Sequence, residues 1–474
     1  MTYGVHVPVP HDAAEMLRSP KEVGDNLSPL DSENLIVEAF RSAARSVPAY
    51  KILLAEAGVS PDAVTGLPDF QRAVPVLDKQ STFGRFGVAE LCRGGSAAGL
   101  AWVLTSSGHS GQFAYGVCGR EGAEAAARSV DDALDRFLDV YKKPTLLINC
   151  LPMGVRVYTR ACALAETSVR ADMVTAVVKA FGGHYDQIVL VGETAFLKHL
   201  LELGRSRGAA WESLKVHAIV GEEPLAENAR TYLAGLLGID LRDPDHRLII
   251  SSMGVAELGL NLFFETPALI ALRRVLARDE SLRRRLLPSP ATNLPMLFTY
   301  DANRIFVEVL AADRLVVSTL DADIRIPLIR YATGDCARWF DRPDVLREAA
   351  AAAGIRFERV AHLPVLMVLG RGGFVRAGDV PIYPEQVKEG LYADPALARL
   401  TTANFRLRSG KPEAALRIQL VPGAPAERGL DDRFAKAVAP YVVAPLRVVC
   451  EEYEAFGNGM ALDYERKFDY LEGE

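Results

Sequence analysis

The sequence has little of what marks several classes of protein. Its 474 residues include six cysteines, none of them in a CxxC pair, and eight dispersed histidines without an HxxxH pair. Cysteines at such long and irregular spacings are not typical of a disulfide framework or a zinc ribbon. We therefore expect scattered reduced thiols and no structural metal site.

Long apolar runs and an excess of positive charge are also missing. The longer apolar runs, such as Val365–Leu369, have the length of a strand, whereas a membrane span needs about 18 residues. Lys and Arg number 54 against 60 Asp and Glu, a net charge of −6, which argues against a nucleic-acid partner. The first residues show no basic segment followed by an apolar core, so no signal peptide is expected. These absences predict a cytoplasmic protein with neither membrane nor nucleic acid as a partner.

The chain does have a globular composition and a regular alternation of elements. Hydrophobic residues make up 49% of it and charged residues 24%, and its length allows about two to four domains. Between residues 144 and 251, short apolar runs alternate with helical segments, which predicts βαβ units and a largely parallel sheet. Residues 306–310 and 315–318 are expected to form antiparallel strands joined by a turn at Asp313.

The pattern changes near residue 370. The segment Gly370–Gly378 holds four glycines in nine residues, which favours a hinge or a mobile loop. Short strands and one helix follow, as in a small α+β unit of about one hundred residues. The predicted fold class is α/β, with a large N-terminal domain of mostly parallel sheets and helices over residues 1–369. A small, mobile α+β domain is expected over residues 370–474.

Two polar segments that follow apolar runs have features of a nucleotide site. Thr105–Gln112 (TSSGHSGQ) has two glycines and several hydroxyls, so its N–H groups could converge on a phosphate. The alternative is a hydrophilic turn. In Pro327–Asp335 (PLIRYATGD), an apolar strand leads to a turn where Asp335 could accept bonds from both hydroxyls of a ribose. The alternative there is an ordinary Thr-Gly-Asp turn.

A third segment, Ser252–Gly259 (SMGVAELG), also follows an apolar run. Glu257 comes after a glycine turn at the expected carboxyl edge of the sheet, a suitable place for a magnesium ligand. The alternative is a glutamate at a helix N-terminus, where the helix dipole favours negative charge. The three segments together support a nucleotide site more strongly than any of them alone.

Together these motifs resemble the adenylate-forming (acyl/aryl-CoA ligase) superfamily and, within it, the phenylacetate-CoA ligase branch. PLIRYATGD is similar to that branch nearly residue for residue. Further similarities are SVPAY (46–50), LPDFQRAVPVLDK (67–79), GEEP (221–224), Gly370-Arg371 and IYPEQV (382–387), so the resemblance covers about residues 46 to 467. Residues 105–144 also resemble the acyl-protein synthetases of bacterial bioluminescence.

The resemblance implies ATP and Mg²⁺ as cofactors and assigns roles by position. The ATP phosphates would be held by Thr105, Ser106, Ser107, Gly108, His109, Ser110 and Gly111. The adenine pocket would be lined by Gly221, Glu222, Glu223 and Pro224, with Met253 and Gly254 beside it. The expected catalytic residues are Glu257, which would bind Mg²⁺, Arg371, which would contact the ribose or a phosphate, and Lys467. Asp335 would bind the ribose hydroxyls. Lys467 would stabilise the charge that develops between the carboxylate and the α-phosphate, with Arg466 as the alternative cation.

The sequence departs from the family's pattern at several positions. Gln112 follows Gly111 where the family usually continues Gly-x-Pro-Lys, His109 stands in place of a threonine, and Met253 in place of an aromatic residue. At the hinge, Gly372-Gly373 replaces a carboxylate. ATP use is therefore better supported by the sequence than CoA use.

The function implied by the resemblance is that of an ATP-dependent ligase. It would convert a carboxylic acid into an acyl-adenylate, release pyrophosphate and pass the acyl group to an acceptor, with CoA as the first choice. The alternatives are transfer to an amine, a carrier-protein thiol or another non-CoA nucleophile in secondary metabolism, and a nucleotide-binding homologue without catalysis. The expected partners are a small-molecule carboxylate, CoA or a carrier protein, and a second copy of the chain in a homodimer.

Overall fold

The structure is a computed structural model that describes residues 29–106, 112–152, 154–242, 247–287, 294–321, 323–456, 464 and 468–472, with the backbone alone for residues 29–33. Its α-helices are α1 Pro29–Ser46, α2 Pro48–Glu56, α3 Leu67–Ala73, α4 Val88–Leu91, α5 Arg120–Leu138, α6 Ala171–Phe181, α7 Thr194–Ser206, α8 Glu227–Leu237, α9 Pro267–Arg278, α10 Glu280–Leu286, α11 Pro343–Ala352, α12 Glu358–Ala361, α13 Pro384–Leu391, α14 Pro395–Ala398 and α15 Leu430–Val438.

The strands are β1 Leu100–Thr105, β2 Tyr115–Gly119, β3 Thr145–Asn149, β4 Ala163–Glu166, β5 Gln187–Gly192, β6 Val216–Val220, β7 Ile249–Val255, β8 Gly259–Phe264, β9 Met296–Tyr300, β10 Ile305–Leu310, β11 Arg314–Thr319, β12 Tyr331–Trp339, β13 Leu366–Gly370, β14 Val375–Ala377, β15 Val380–Ile382, β16 Thr401–Arg408, β17 Ala414–Leu420 and β18 Leu446–Glu451.

One long mixed sheet organises the large N-terminal part. Its order is β10-β11-β12-β13-β9-β8-β7-β6-β5-β3-β4. The run from β4 to β7 is parallel, as the alternation of apolar runs and helices predicts. The run from β7 to β10 is antiparallel, and it includes the predicted β10–β11 hairpin. The predicted α/β class is confirmed, and the sheet is parallel in one half and antiparallel in the other.

The parallel half forms because its strands are apolar along their whole length. All positions of β3 and β5 are buried, which is the pattern of strands covered by helices on both faces. Helix α6 buries Val174 and Val178 on one side and leaves the other side to solvent, as expected of an amphipathic crossover helix. The carboxyl ends of these strands therefore meet at one edge, where the loops of interest begin.

The C-terminal residues form separate small sheets. Strand β13 still belongs to the long sheet, whereas β14 pairs with β15, and β16, β17 and β18 form their own sheet. Helix α15 packs against α13 and β18. A small α+β C-terminal unit is thus confirmed, and the placement of its boundary at residue 370 stays a prediction. We call the described residues from Arg371 onward the C-terminal unit.

A buried ion network joins several of these elements. Arg230 on α8 has no solvent exposure, and its guanidinium lies 2.7 Å from Glu265 and 3.0 Å from Glu227. Glu227 also pairs with the buried Arg273 of α9. Burial opposes the ionisation of Glu227, but Arg230 and Arg273 outweigh it and hold the pKa of Glu227 below its usual range. Because a buried charge is costly once it loses its partner, this network fixes α8 against the end of β8 and against α9.

Two further findings concern the state of the cysteines and the search for a membrane-spanning helix. All six cysteines are free, and Cys92, Cys150, Cys162 and Cys450 are buried. Within the described ranges, no helix combines the length and the apolar character that are needed to cross a bilayer.

Burial of a histidine in β6 gives the fold a pH dependence. The side chain of His217 is 3% exposed, and its Nδ1 accepts the backbone N–H of Leu248 at 3.1 Å. Burial, with help from Lys215, Lys143 and Arg247, lowers the pKa of His217 to about 3. A protonated ring would lose the hydrogen bond at Nδ1, so the folded state holds the neutral form.

We predict that this histidine makes the protein less stable in mild acid. Its unfolded pKa is about 6.5, so the stability that the neutral ring contributes is present above pH 6.5 and is lost as the pH falls toward 3. Between pH 6.5 and 5.5 the free energy of unfolding should drop by about 1 kcal/mol from this residue alone. Urea unfolding of His217→Gln should show a pH dependence smaller by that amount. His184→Gln, at an exposed position, is the matched control, and equal pH dependence in wild type and His217→Gln would contradict the prediction.

Candidate functional site

The glutamate of the third segment lies in a tight turn between two antiparallel strands. Residues 256–258 connect β7 to β8, so Glu257 does not begin a helix and the alternative of a helix-terminal glutamate is wrong. Glu257 as a residue is 8% exposed. The hydroxyl of Tyr331, on β12, donates a hydrogen bond of 2.7 Å to Oε1 of Glu257. Burial and the Glu257 carboxylate raise the pKa of the Tyr331 phenol, which keeps it a proton donor.

The first segment forms the end of the β1–β2 hairpin. Thr105 ends β1, and Ser106 exchanges hydrogen bonds with Ala114, since its N–H donates to the Ala114 carbonyl and its Oγ accepts from the Ala114 amide, both at 2.9 Å. The other residues predicted to hold phosphates, Ser107, Gly108, His109, Ser110 and Gly111, lie outside the described residues. The phosphate-binding role of this segment stays a prediction.

The hairpin lies directly against the Glu257 turn. A Cβ atom on Gly116 of β2 would be 2.1 Å from the carbonyl oxygen of Ala256, so only glycine allows this approach. The backbone of β2 therefore passes next to the turn that carries Glu257. The described base of the β1–β2 hairpin and the predicted magnesium ligand are therefore neighbours in space.

A lysine that the sequence reasoning left without a role lies at the same place. Lys79 Nζ is 3.3 Å from Ser106 Oγ. Its segment is held by Leu77, whose N–H donates to the Arg330 carbonyl (2.9 Å) and whose carbonyl accepts from Ala332 (2.8 Å). Lys79 ends the LPDFQRAVPVLDK stretch that supported the family resemblance, so the sequence contained a signal. What it did not contain was the pairing of this stretch with β12.

The second segment differs from the predicted turn. Thr333, Gly334 and Asp335 lie within β12, where the pairing with β11 and with β13 is irregular. Gly334 has φ +85°, which favours glycine. The irregularity leaves Asp335 with a side chain that is 12% exposed, and Nε of Arg371 lies 3.8 Å from its Oδ1. Asp335 and Arg371, predicted to bind ribose and phosphate, are therefore brought together, with the Arg371 side chain 64% exposed.

The expected adenine segment follows β6 and passes along β7. Glu222 has φ +73°, and a Cβ on Gly221 would lie 3.7 Å from the carbonyl oxygen of Ser252, the residue before Met253. Gly254 packs closely on β8, since a Cβ there would be 3.0 Å from the Gly259 oxygen. Pro224 lies near Gly370, so the segment also borders the junction with the C-terminal unit.

The Glu223 side chain is engaged by the C-terminal unit. It forms an ion pair with Lys388, both side chains being 12% exposed, and Tyr470 donates a hydrogen bond of 3.2 Å to its Oε2. That Glu223 lines an adenine pocket stays a prediction: its segment borders β7, and its carboxylate points to Lys388. The reason is that a nearly buried carboxylate requires a cation, and the C-terminal unit supplies it.

The C-terminal end of the chain contains the predicted catalytic cation. Lys467 and its alternative Arg466 lie outside the described residues. Among the described residues near them, Tyr464 contacts Phe196 edge-on and His199 at a tilt, with ring centroids 5.4 and 5.6 Å away. Tyr470 contacts Glu223. The role of Lys467 stays a prediction.

The residues present fit a nucleotide with magnesium. Mg²⁺ is usually held by one or two carboxylates together with substrate phosphates, and Glu257 offers one carboxylate beside the β1–β2 hairpin. Among the described residues no group of three or more Asp, Glu, His or Cys side chains could form an all-protein metal cage. A cation at this site would therefore depend on the phosphates of a ligand.

We predict that the Tyr331–Glu257 bond contributes to stability. Tyr331→Phe removes a donor from a buried carboxylate, which should lower the free energy of unfolding by about 1–2 kcal/mol. Tyr185→Phe, a partly buried tyrosine elsewhere in the large part, is the control. Equilibrium denaturation measures both, and a Tyr331→Phe protein as stable as the control would show that the bond is absent in solution.

Comparisons with known proteins bear on the fold. No protein-family model matches the sequence, and no curated protein does either. Among solved structures, a 2-hydroxyisobutyryl-CoA ligase in the postadenylation state with R3-HIB-AMP is similar over 100% of this chain and 95% of its own, with a TM-score of 0.68 and 14% identity.

The same ligase in other states is similar at 14% identity as well. An open conformation with 2-HIB-AMP and CoA gives a TM-score of 0.53 over 96% of this chain and 98% of that one. The thioesterification state gives 0.52 over 94% and 90%. The predicted resemblance to the adenylate-forming superfamily is confirmed at the level of the fold, while the phenylacetate branch stays a prediction. The chain has the fold of this 2-hydroxyisobutyryl-CoA ligase.

Proposed function

We propose that the protein is an ATP-dependent ligase that activates a carboxylic acid as its acyl-adenylate and then transfers the acyl group to an acceptor, with CoA as the first choice. The observation that carries the proposal is the convergence of segments far apart in the sequence. Lys79 contacts Ser106, and the β1–β2 hairpin packs against the turn that carries Glu257. Tyr331 donates a hydrogen bond to that turn from β12, the strand that also carries Asp335. These are the residue types that bind a triphosphate, a magnesium ion and a ribose.

In the proposed reaction a carboxylate oxygen of the substrate attacks the α-phosphorus of ATP. A bond forms between that oxygen and phosphorus, the bond to the bridging oxygen breaks, and pyrophosphate leaves with the electron pair. Lys79 and the hairpin amides would balance the charge of the leaving phosphates, Asp335 would hold the ribose hydroxyls, and Arg371 would stand beside them. Magnesium at Glu257 would supply further positive charge when bound. Catalysis of this kind rests on positioning and charge stabilisation.

In the second step the acceptor would attack the acyl carbonyl carbon and AMP would leave, and two observations bear on the identity of this acceptor. The solved 2-hydroxyisobutyryl-CoA ligase binds both 2-HIB-AMP and CoA, which supports a thiol acceptor and a small aliphatic acid among the first substrates to test. The glycine pair Gly372-Gly373, where the family has a hinge carboxylate, favours an alternative acceptor such as an amine or a carrier-protein thiol. Consumption of CoA separates the two.

We predict pyrophosphate release with a subset of carboxylic acids. The protein would be screened with ATP, Mg²⁺ and a panel of 2-hydroxy, fatty and aryl acids, with and without CoA. Pyrophosphate release that depends on the acid supports the proposal, and loss of CoA in equal amount to ATP assigns the acceptor. Glu257→Gln, which removes the magnesium ligand, should lower the rate by about 10²-fold or more. A folded wild type that binds ATP without releasing pyrophosphate with any acid would instead identify a nucleotide-binding homologue.

We predict that Lys79 binds the phosphates of ATP. Lys79→Met should raise the KM for ATP about tenfold or more, because a cation beside the phosphate hairpin is lost, and should leave the KM for the acid unchanged. Lys79→Arg keeps the charge and should restore part of the affinity, while Lys51→Met, at an exposed position of α2, serves as the control. Equal KM values for ATP in Lys79→Met and wild type would show that Lys79 does not bind the phosphates of ATP.

A further inference from the structure

A buried arginine holds the segment that leads from α3 to the lysine beside the β1–β2 hairpin. The side chain of Arg330 is 7% exposed and pairs with that of Glu308 on β10, which is 4% exposed, with Nε 3.1 Å from Oε2. Nη1 of Arg330 donates to the backbone carbonyls of Gln71 (2.8 Å) and Val74 (2.6 Å). The guanidinium therefore joins β10 to the segment that follows α3.

These bonds provide what the end of a helix requires. The last carbonyls of a helix have no partner within the helix, and the helix dipole favours a positive charge at that end. Helix α3 ends at Ala73, so the carbonyls of Gln71 and Val74 lie at this end. The planar fork of Arg330 can bind these carbonyls and a carboxylate at the same time, which a lysine amine is not shaped to do.

The backbone of Arg330 holds the same segment. Its carbonyl accepts the N–H of Leu77 (2.9 Å), and the carbonyl of Leu77 accepts the N–H of Ala332 (2.8 Å). Arg330 has φ +50°, in the left-handed region that residues other than glycine seldom adopt. Its own N–H donates to the hydroxyl of Ser318 at 2.8 Å. Residues that their surroundings hold in such a conformation cluster at functional sites, so this conformation motivates a search for a role.

The turn after Leu77 leaves the backbone of Lys79 little freedom. The Asp78 carbonyl accepts the N–H of Thr82 (3.1 Å), and the Lys79 carbonyl accepts the N–H of Gly84 (2.9 Å). A shift of Leu77 along β12 would therefore move this turn. The amine of Lys79, which contacts the β1–β2 hairpin, would move with it.

We propose that Arg330 is a positioning residue for Lys79. Its guanidinium and its carbonyl fix the 71–79 segment against the start of β12 and so bring the Lys79 amine to the β1–β2 hairpin. This inference rests on the proposed function, in which Lys79 binds the phosphates of ATP and Asp335 binds the ribose. Strand β12 carries Asp335, and the residue before it holds Lys79 in place, so one strand sets the distance between the carboxylate and the cation.

The test uses a variant that leaves no unpaired charge in the core. Arg330→Met alone would leave the Glu308 carboxylate buried without a partner, whereas Arg330→Met/Glu308→Leu removes both charges together. This paired variant should raise the KM for ATP about tenfold, because the Lys79 cation no longer lies beside the phosphates, and should leave the KM for the acid unchanged. Arg330→Lys keeps a charge for Glu308 without the planar fork and should give an intermediate KM for ATP.

A double-mutant cycle separates positioning from a general loss of structure. If Arg330 acts through Lys79, the addition of Lys79→Met to the paired variant should raise the KM for ATP no further. Two independent losses would instead multiply to about a hundredfold. Lys198→Met/Glu202→Leu removes an ion pair with a buried lysine on α7, and as the matched control it should keep the wild-type KM for ATP.

The position of Lys79 can also be measured without nucleotide. Acetylation of the full chain with acetic anhydride, followed by peptide mass spectrometry, reports the reactivity of each lysine amine. In the wild type, Lys79 is half-buried and bonded to Ser106, so it should react more slowly than the exposed Lys51. The paired variant should lose this protection, and the α7 control should keep it.

Three results would overturn the proposal. The first is a paired variant that keeps both the protection of Lys79 and the wild-type KM for ATP, since the segment would then hold its place without Arg330. The second is lost protection with an unchanged KM for ATP, and the third is a hundredfold effect in the triple variant. A wild type that does not use ATP would overturn the proposed function instead, and the protection of Lys79 would then decide the positioning role by itself.

Discussion

The buried ion network around Arg230 is the constraint on which the arrangement of the site depends. Arg230 has no exposure and is held between Glu227 and Glu265, and Arg273 completes the pairing of Glu227. A charge at such depth tolerates only one geometry, because a lost partner leaves it neither solvated nor paired. The start of α8 is thereby fixed, and with it the loop from Gly221 that borders β7.

Beyond this network, the large part and the C-terminal unit contact each other through polar groups. The partner of each of these groups lies on the opposite side of the junction. The amides that begin α8 are bound by Glu389, and Glu223 is bound by Lys388. Burial raises the pKa of the Glu389 carboxyl, against the opposing effect of Arg273 and of the two amides. The junction is thus built from desolvated polar groups that depend on close contact.

The site itself shows how far sequence reasoning reaches. The motif RYATGD is predicted from the sequence to contribute to the site, and its Asp335 lies beside Arg371. Its local structure was predicted wrongly, since the Thr-Gly-Asp sequence that favours a turn is drawn into β12 by its neighbours β11 and β13. Glu257 was assigned to a turn or to a helix start on local grounds, and only the pairing of β7 with β8 decides for the turn. Lys79 received no role because its contact with Ser106 joins positions 27 residues apart.

What the sequence by itself determined is local: the apolar strands of the parallel half, the amphipathic helices between them, the glycine-rich change near residue 370 and the motifs that resemble an adenylate-forming ligase. Each of these follows from periodicity and residue type within a short window. The tertiary structure alone decided three contacts. Glu223 pairs with Lys388, and Gly116 lets β2 pack closely against the Glu257 turn. Glu389 accepts hydrogen bonds from the first amides of α8. Such contacts depend on which surfaces remain to be covered once the strands have paired, and desolvation of a charge selects its partner by position in space and not by distance along the chain.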